Sequence, residues 1–123
     1  MLRSSIQAAS PEIQALFDEI VNEETRFIMS ERRDATRKPI TRRVLVHSNR
    51  QTGQNHFAFS RDISNQGVGL VSQEPTEVGV ITKLEIDRLN GRPSIVVAEC
   101  RWCDEFAKGW FVTGWNFKRL ERS

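Results

Sequence analysis

Apolar residues follow two different rhythms along the 123-residue chain. Ile13, Leu16, Phe17, Ile20, Val21, Phe27 and Ile28 recur at spacings of three and four, the signature of one apolar face of a helix. Ser10-Pro11-Glu12 opens it with a hydroxyl cap, a proline in the first turn and an acid near the positive end of the helix dipole. Asp18, Glu19, Glu23 and Glu24 occupy the other face. The pattern predicts a helix from 10 to about 29 that packs on the rest of the domain or on a second copy, the latter giving a homodimer. From Pro39 onward the period shortens to two. Strands are expected at Ile40–His47, His56–Ile63, Val68–Ser72, Val80–Asp87, Ser94–Trp102 and Trp110–Phe117. Asn90-Gly91 is a strong hairpin signal, and Lys108-Gly109 joins the last two strands. Six strands with short connections predict a mainly β fold, a small antiparallel barrel with an N-terminal amphipathic helix. The expected organisation is a disordered 1–9, a helix at 10–29 and a barrel domain at 30–123.

Length and composition confine the chain to one domain. Net charge is only +2, so the whole molecule is no general polyanion binder. The local balance differs: Arg26 to Arg50 holds eight arginines and lysines against two acids. Such a block is often a solvated face. Here arginine dominates, which favours geometry-sensitive anion contacts. There is no signal-peptide pattern and no run of about 20 apolar residues. A cytoplasmic protein with no membrane contact is expected, with Cys100 and Cys103 as thiols.

Two short stretches carry the candidate chemistry. Arg33-x-x-x-Arg37 lies in the basic segment ahead of the first strand, and Asp62-x-Ser64-x-x-Gly67 lies between the second and third. Alone, the second reads as a tight turn in which Asp and Ser bond nearby backbone and Gly supplies a positive φ. Together they offer two guanidinium forks, a carboxylate and a hydroxyl. Guanidinium forks suit phosphate or the O6/N7 edge of guanine. A carboxylate can accept from guanine's ring N–H and amino group.

Glu31-Arg32-Arg33-Asp34-Ala35-Thr36-Arg37-Lys38-Pro39, then Ser60-Arg61-Asp62-Ile63-Ser64-Asn65-Gln66-Gly67-Val68, resembles the PilZ domain family of bacterial cyclic di-GMP receptors. Gly114 and Phe117 match a weaker third signature of that family. The resemblance covers Arg32 to Leu120 and implies a six-stranded barrel with the arginine arm folded over its outer face. It implies that Arg33 and Arg37 contact phosphates and guanine, that Asp62 and Ser64 contact the guanine edge, and that Gly67 sets the turn. Arg32, just before the arginine pair, occupies a position that bears on whether one ligand or an intercalated pair binds; a pair is expected. Trp115 is either core packing or a ring stacking on a purine, and it stands among the candidate contacts. Trp102 and Trp110 are assigned to packing.

The function expected is a cyclic di-GMP receptor that passes binding to an unidentified protein partner through its arm and helix. Two alternatives remain: a small barrel binding RNA or single-stranded DNA, and a ligand-free PilZ-type interaction module. Modest net charge and the absence of an RNP-type aromatic motif argue against nucleic acid. No cofactor is expected. Catalysis is not expected either, since no nucleophile–base set, Walker loop or HExxH motif is present. Cys100-x-x-Cys103 has metal-ligand spacing but lacks a second cysteine pair, and residues three apart in a regular strand face opposite ways. His47 and His56 are expected at strand ends, so no metal is predicted.

Overall fold

The computed structural model describes residues 10–25, 38–49, 53–89 and 91–121. Helix α1 runs Pro11–Thr25 and is followed by β1 (Arg43–Val46), β2 (His56–Ile63), β3 (Gly67–Ser72), β4 (Ile81–Ile86), β5 (Ser94–Ala107) and β6 (Trp110–Glu121). All pairings are antiparallel. The strands close in the order β1-β2-β3-β6-β5-β4, with β4 returning to β1. Closure removes the open edges that a flat sheet would leave. The mainly β barrel with its N-terminal helix is therefore as the sequence pattern predicts. The expectations for 1–9 and 26–37 lie outside the described residues.

Alternation decides what fills the barrel. Val44 and Val46, Ala58, Val68 and Leu70, Leu84 and Ile86, and Val96 and Ala98 point inward and are buried. Trp115 and Cys100 complete the interior. The helix closes one end. The Ser10 hydroxyl accepts from the Ile13 amide at 3.2 Å, and Gln14 N–H bonds the Ser10 carbonyl at 2.9 Å. Ile13, Leu16 and Ile20 then insert into the same core. Burying three such side chains contributes at most roughly 5–9 kcal/mol. Phe17 and Val21 pack against that core partly buried, so the described part of the apolar helix face lies on the chain's own barrel, and Phe27 and Ile28 lie outside the described residues.

A charge cluster orients the helix. Glu23 receives Arg88 Nε at 3.0 Å and Nη2 at 2.8 Å, and Arg42 Nη2 at 3.1 Å. Arg88 also reaches Glu19 Oε1 at 3.1 Å and the Ser94 hydroxyl at 3.0 Å. The Arg42 side chain is only 4% exposed. Burial by itself would raise the Glu23 pKa; the hydrogen bonds from Arg88 and Arg42 outweigh it, and the carboxyl sits below its ordinary value. Part of the acidic helix face thus grips the barrel instead of facing water.

Two strands exceed expectation. β5 and β6 run to Ala107 and Glu121, beyond the predicted ends at Trp102 and Phe117. They form a long hairpin turned by Gly109 at φ 78°, and its extension carries the exposed Phe106 and Trp110. Those two aromatics are not core packing.

Candidate functional site

The base of the arginine arm is fixed beside the second motif. Lys38 N–H bonds the Ile63 carbonyl and Ile63 N–H bonds the Lys38 carbonyl, each at 2.9 Å. Ile63 stands between Asp62 and Ser64 in sequence, and Arg37 is the residue before Lys38. Ile40 N–H reaches back to the Lys38 carbonyl at 2.8 Å, a three-residue turn around Pro39. The buried Ser60 hydroxyl then donates to the Ile40 carbonyl at 2.6 Å and accepts from the Arg42 amide at 2.7 Å. These bonds hold segment 38–42 along β2. Arg32, Arg33 and Arg37 themselves lie outside the described residues.

Asp62 owes its position to a bulge. Ser60 pairs with Leu70 and Asp62 with Gly69, leaving Arg61 as the extra residue of β2. Ile63 consequently turns inward while Arg61 and Asp62 both lie on the outer surface. Across the sheet, Asp62 stands opposite Gly69, Gly69 opposite Gly114, and Gly114 opposite Trp102. Directly opposed residues share a face, so this row forms an outer platform about 14 Å wide, three strand spacings. A second bulge, at Arg101 of β5, brings Trp102 into the row.

The two central glycines make the platform flat. A Cβ on Gly69 would lie 2.9 Å from Asp62 Oδ1 and 3.4 Å from Arg61 Nη2. A Cβ on Gly114 would collide with the Trp102 indole. The carboxylate therefore leans over one glycine and the indole lies over the other. Trp102 remains 41% exposed, with one ring face on β6 and surface still open to solvent. It sits where an aromatic can stack on a base, although its sequence reading was packing. The usable signal was Gly114 on the neighbouring strand, since a side-chain-free position leaves room for a flat ring; only the pairing register reveals that the two are opposed.

Trp115 departs from the stacking alternative. It is 2% exposed, and its Nε1 donates to Thr113 Oγ1 at 2.8 Å inside the barrel. The parity of β6 explains this: Gly114 faces out, so Trp115 faces in.

Ser64 and Gly67 build the turn. The Ser64 hydroxyl accepts the Gln66 and Gly67 amides at 3.1 and 3.2 Å, and Ser64 N–H bonds the Gly67 carbonyl at 2.9 Å. Positive φ is not what Gly67 supplies: among the described glycines only Gly79, Gly91 and Gly109 adopt it. Gly67 is required by close approach, because a Cβ there would strike the Trp115 carbonyl oxygen. From the same turn, Asn65 Nδ2 donates to Gln14 Oε1 of α1 at 2.7 Å. The motif thus touches the helix directly.

Other candidate chemistry resolves more simply. The Arg101 bulge puts Cys100 and Cys103 opposite Trp115 and Thr113, on one face and not on opposite ones. Among the described residues no group of three or more His, Cys, Asp and Glu is placed to hold a metal. His47 and His56 lie at adjoining strand ends, and His47 Nε2 is 2.6 Å from Glu85 Oε2. They border a cavity of about 340 Å³ at the barrel mouth remote from α1. That cavity contains none of the motif residues, so the platform and not the cavity is the candidate site. Among the described residues, no helix is long and apolar enough to cross a membrane.

Fold and site together define a small closed β-barrel whose candidate site is on its outer wall. The PilZ domain model matches residues 31–123, and the chain belongs to the PilZ family. PilZ domains are ligand-binding receptor modules and are generally not enzymes. Among solved structures the chain is similar to the Bacillus subtilis inhibitor of motility (MotI/DgrA), itself a PilZ-domain protein, at TM-score 0.57 and 17% identity. That likeness covers 75% of this chain and 45% of the other, so the chain spans less than half the length of that protein and shares its fold. No curated protein matches the chain.

Proposed function

We propose that this protein is a cyclic di-GMP receptor whose ligand lies on the outer platform and is clasped by the arginine arm. The observation that carries the reading is the two-bond bridge between Lys38 and Ile63, which anchors the chain next to Arg37 within one residue of both Asp62 and Ser64. The platform supplies what that ligand needs from a barrel. Asp62 offers a carboxylate to the guanine edge, the glycines allow close approach, and Trp102 offers a ring face to a purine. Arg37 and Arg33, one residue and five residues ahead of the anchor, supply the guanidinium forks for phosphate and guanine. Arg32 adds a third cation for a paired ligand. Ser64 holds the turn that presents Asp62.

Output runs through α1 to a protein partner. The Asn65–Gln14 hydrogen bond joins the motif turn to the helix, and Gln14 also bonds Asp18 at 3.0 Å. A shift of the turn on ligand closure is thereby felt at the helix. Calorimetric titration with cyclic di-GMP, with GTP and a short oligonucleotide as controls, tests the binding claim. Saturable binding of the cyclic dinucleotide alone is expected, and Arg33→Ala and Arg37→Ala should each weaken it about tenfold to a hundredfold. Undiminished affinity in both variants would remove the claim. For output, ligand should change hydrogen exchange of α1, and equal protection with and without it would end that part.

A further inference from the structure

Arg61 stands within the site without belonging to either motif. It is the residue that the β2 bulge adds to the outer wall. Its Nε donates to Asp62 Oδ2 at 3.1 Å, and its Nη2 lies beside the empty Cβ position of Gly69. The guanidinium is therefore laid across the platform, next to the carboxylate and over the place where β3 has no side chain. Half of the side chain, 52%, faces solvent, so the core does not require it there. Bulges are common beside functional sites because they re-aim a side chain. This one aims an arginine and an aspartate at the same spot.

We propose that Arg61 is itself a ligand-binding residue, held ready by Asp62 and transferred to a phosphate when ligand arrives. This rests on the receptor reading above. In the free protein Arg61 helps to offset the Asp62 carboxylate charge, which favours the approach of a dianion to the platform. On binding, Asp62 exchanges the guanidinium for the N–H donors of guanine, and Arg61 exchanges the carboxylate for phosphate oxygens. Magnitudes favour this exchange over simple blockade of the seat. An ion pair between adjacent residues whose guanidinium is half exposed contributes little. A guanidinium on a phosphate makes a forked, charge-assisted contact and contributes more.

The test is calorimetry with cyclic di-GMP on the full chain, comparing wild type, Arg61→Ala, Arg61→Lys and Arg92→Ala. Arg92 is an exposed arginine on the β4–β5 connection and controls for net charge. Arg61→Ala should weaken binding about tenfold or more at an unchanged melting temperature. Arg61→Lys should recover part of the loss, and Arg92→Ala should match wild type. If wild type binds while Arg61→Ala binds equally well or more tightly, Arg61 is at most a blocking residue and the proposal fails alone. An equal loss in Arg92→Ala also overturns it, since net charge would then explain the effect. If wild type does not bind, the receptor reading fails and takes this inference with it.

Discussion

The helix-capped end and the outer platform use the same residue types in opposite ways. At the capped end Arg42 and Arg88 close on Glu23 out of water, above a core that includes Trp115. On the platform Arg61 meets Asp62 with half of the arginine side chain in solvent, and Trp102 lies over Gly114 and remains exposed. Trp115 and Trp102 belong to neighbouring strands, one position off register, so they differ mainly in which way they point. The capped end has its partners within the chain. The platform has glycines where partners would be. A barrel this small can leave its outer wall sparsely decorated because the stabilising burial is inside and under the helix.

The sharpest way to break the comparison is to truncate both tryptophans. Trp115→Ala should cost about 3–5 kcal/mol, the usual range for a fully buried aromatic. Trp102→Ala should cost less than about 1 kcal/mol in stability, yet weaken cyclic di-GMP by roughly tenfold, as loss of one base-stacking ring does. Chemical denaturation and calorimetry on the same two variants check this. If Trp102→Ala destabilises as much as Trp115→Ala, the platform is part of the core and the contrast is void.

The glycines divide in the same manner. Gly67→Ala drives a Cβ into the Trp115 carbonyl, which is backbone and cannot step aside. About 1–3 kcal/mol of destabilisation is expected. Gly69→Ala meets only the ends of the Asp62 and Arg61 side chains. Stability should barely change, while ligand binding falls as those side chains are displaced. Thermal melts paired with titrations separate the two, and an equal stability loss at both positions would show that Gly69 is structural.

How much of this was legible before the structure follows from local versus non-local information. The helix start, His56–Ile63 as a strand and the Lys108-Gly109 turn are read from neighbours in sequence, and the structure has them at those places. The barrel follows from strand number and spacing. What resisted were facing directions that depend on bulges. A bulge at Arg61 or Arg101 adds one residue and reverses parity beyond it, and nothing in the residue types announces it. Hence the two cysteines were expected on opposite faces and lie on one, and the indole exposed on the platform is Trp102 while Trp115 is buried. Gly67 was legible as a required glycine but for the wrong reason: a clash across strands is invisible locally, whereas positive φ is the familiar local cause. The Glu23 cluster escaped because its partners are distant in sequence.

That cluster gives the next prediction. The folded Glu23 carboxyl titrates below its ordinary value of 4.5, so its contribution to helix docking is present above pH 4.5 and is lost as pH falls through the lowered value. Glu23→Gln should remove about 1–3 kcal/mol near neutral pH by leaving Arg42 and Arg88 without their shared carboxylate. It should also flatten the acid limb of the stability curve. Helix signals should be lost before barrel signals as acid is added to wild type. A variant with the same acid limb as wild type would mean that another carboxylate governs it.

The smallest effect separates the inside of β5 from its margin. Burial, and then the nearby Cys103, push the Cys100 thiol up to about 11. At pH 8 only about one Cys100 in a thousand would be thiolate, the form that reacts with alkylating reagents. Cys100 is also buried, whereas Cys103 is partly exposed. Native labelling at pH 8 should therefore add one equivalent, at Cys103, and denatured labelling should add two. Modification at Cys103 reaches the strand next to Trp102, so it should alter ligand affinity by no more than a few fold while leaving the core intact. Equal labelling of both thiols in the native state would mean that β5 opens at the Arg101 bulge, and the line drawn between packed interior and open platform would have to move inward.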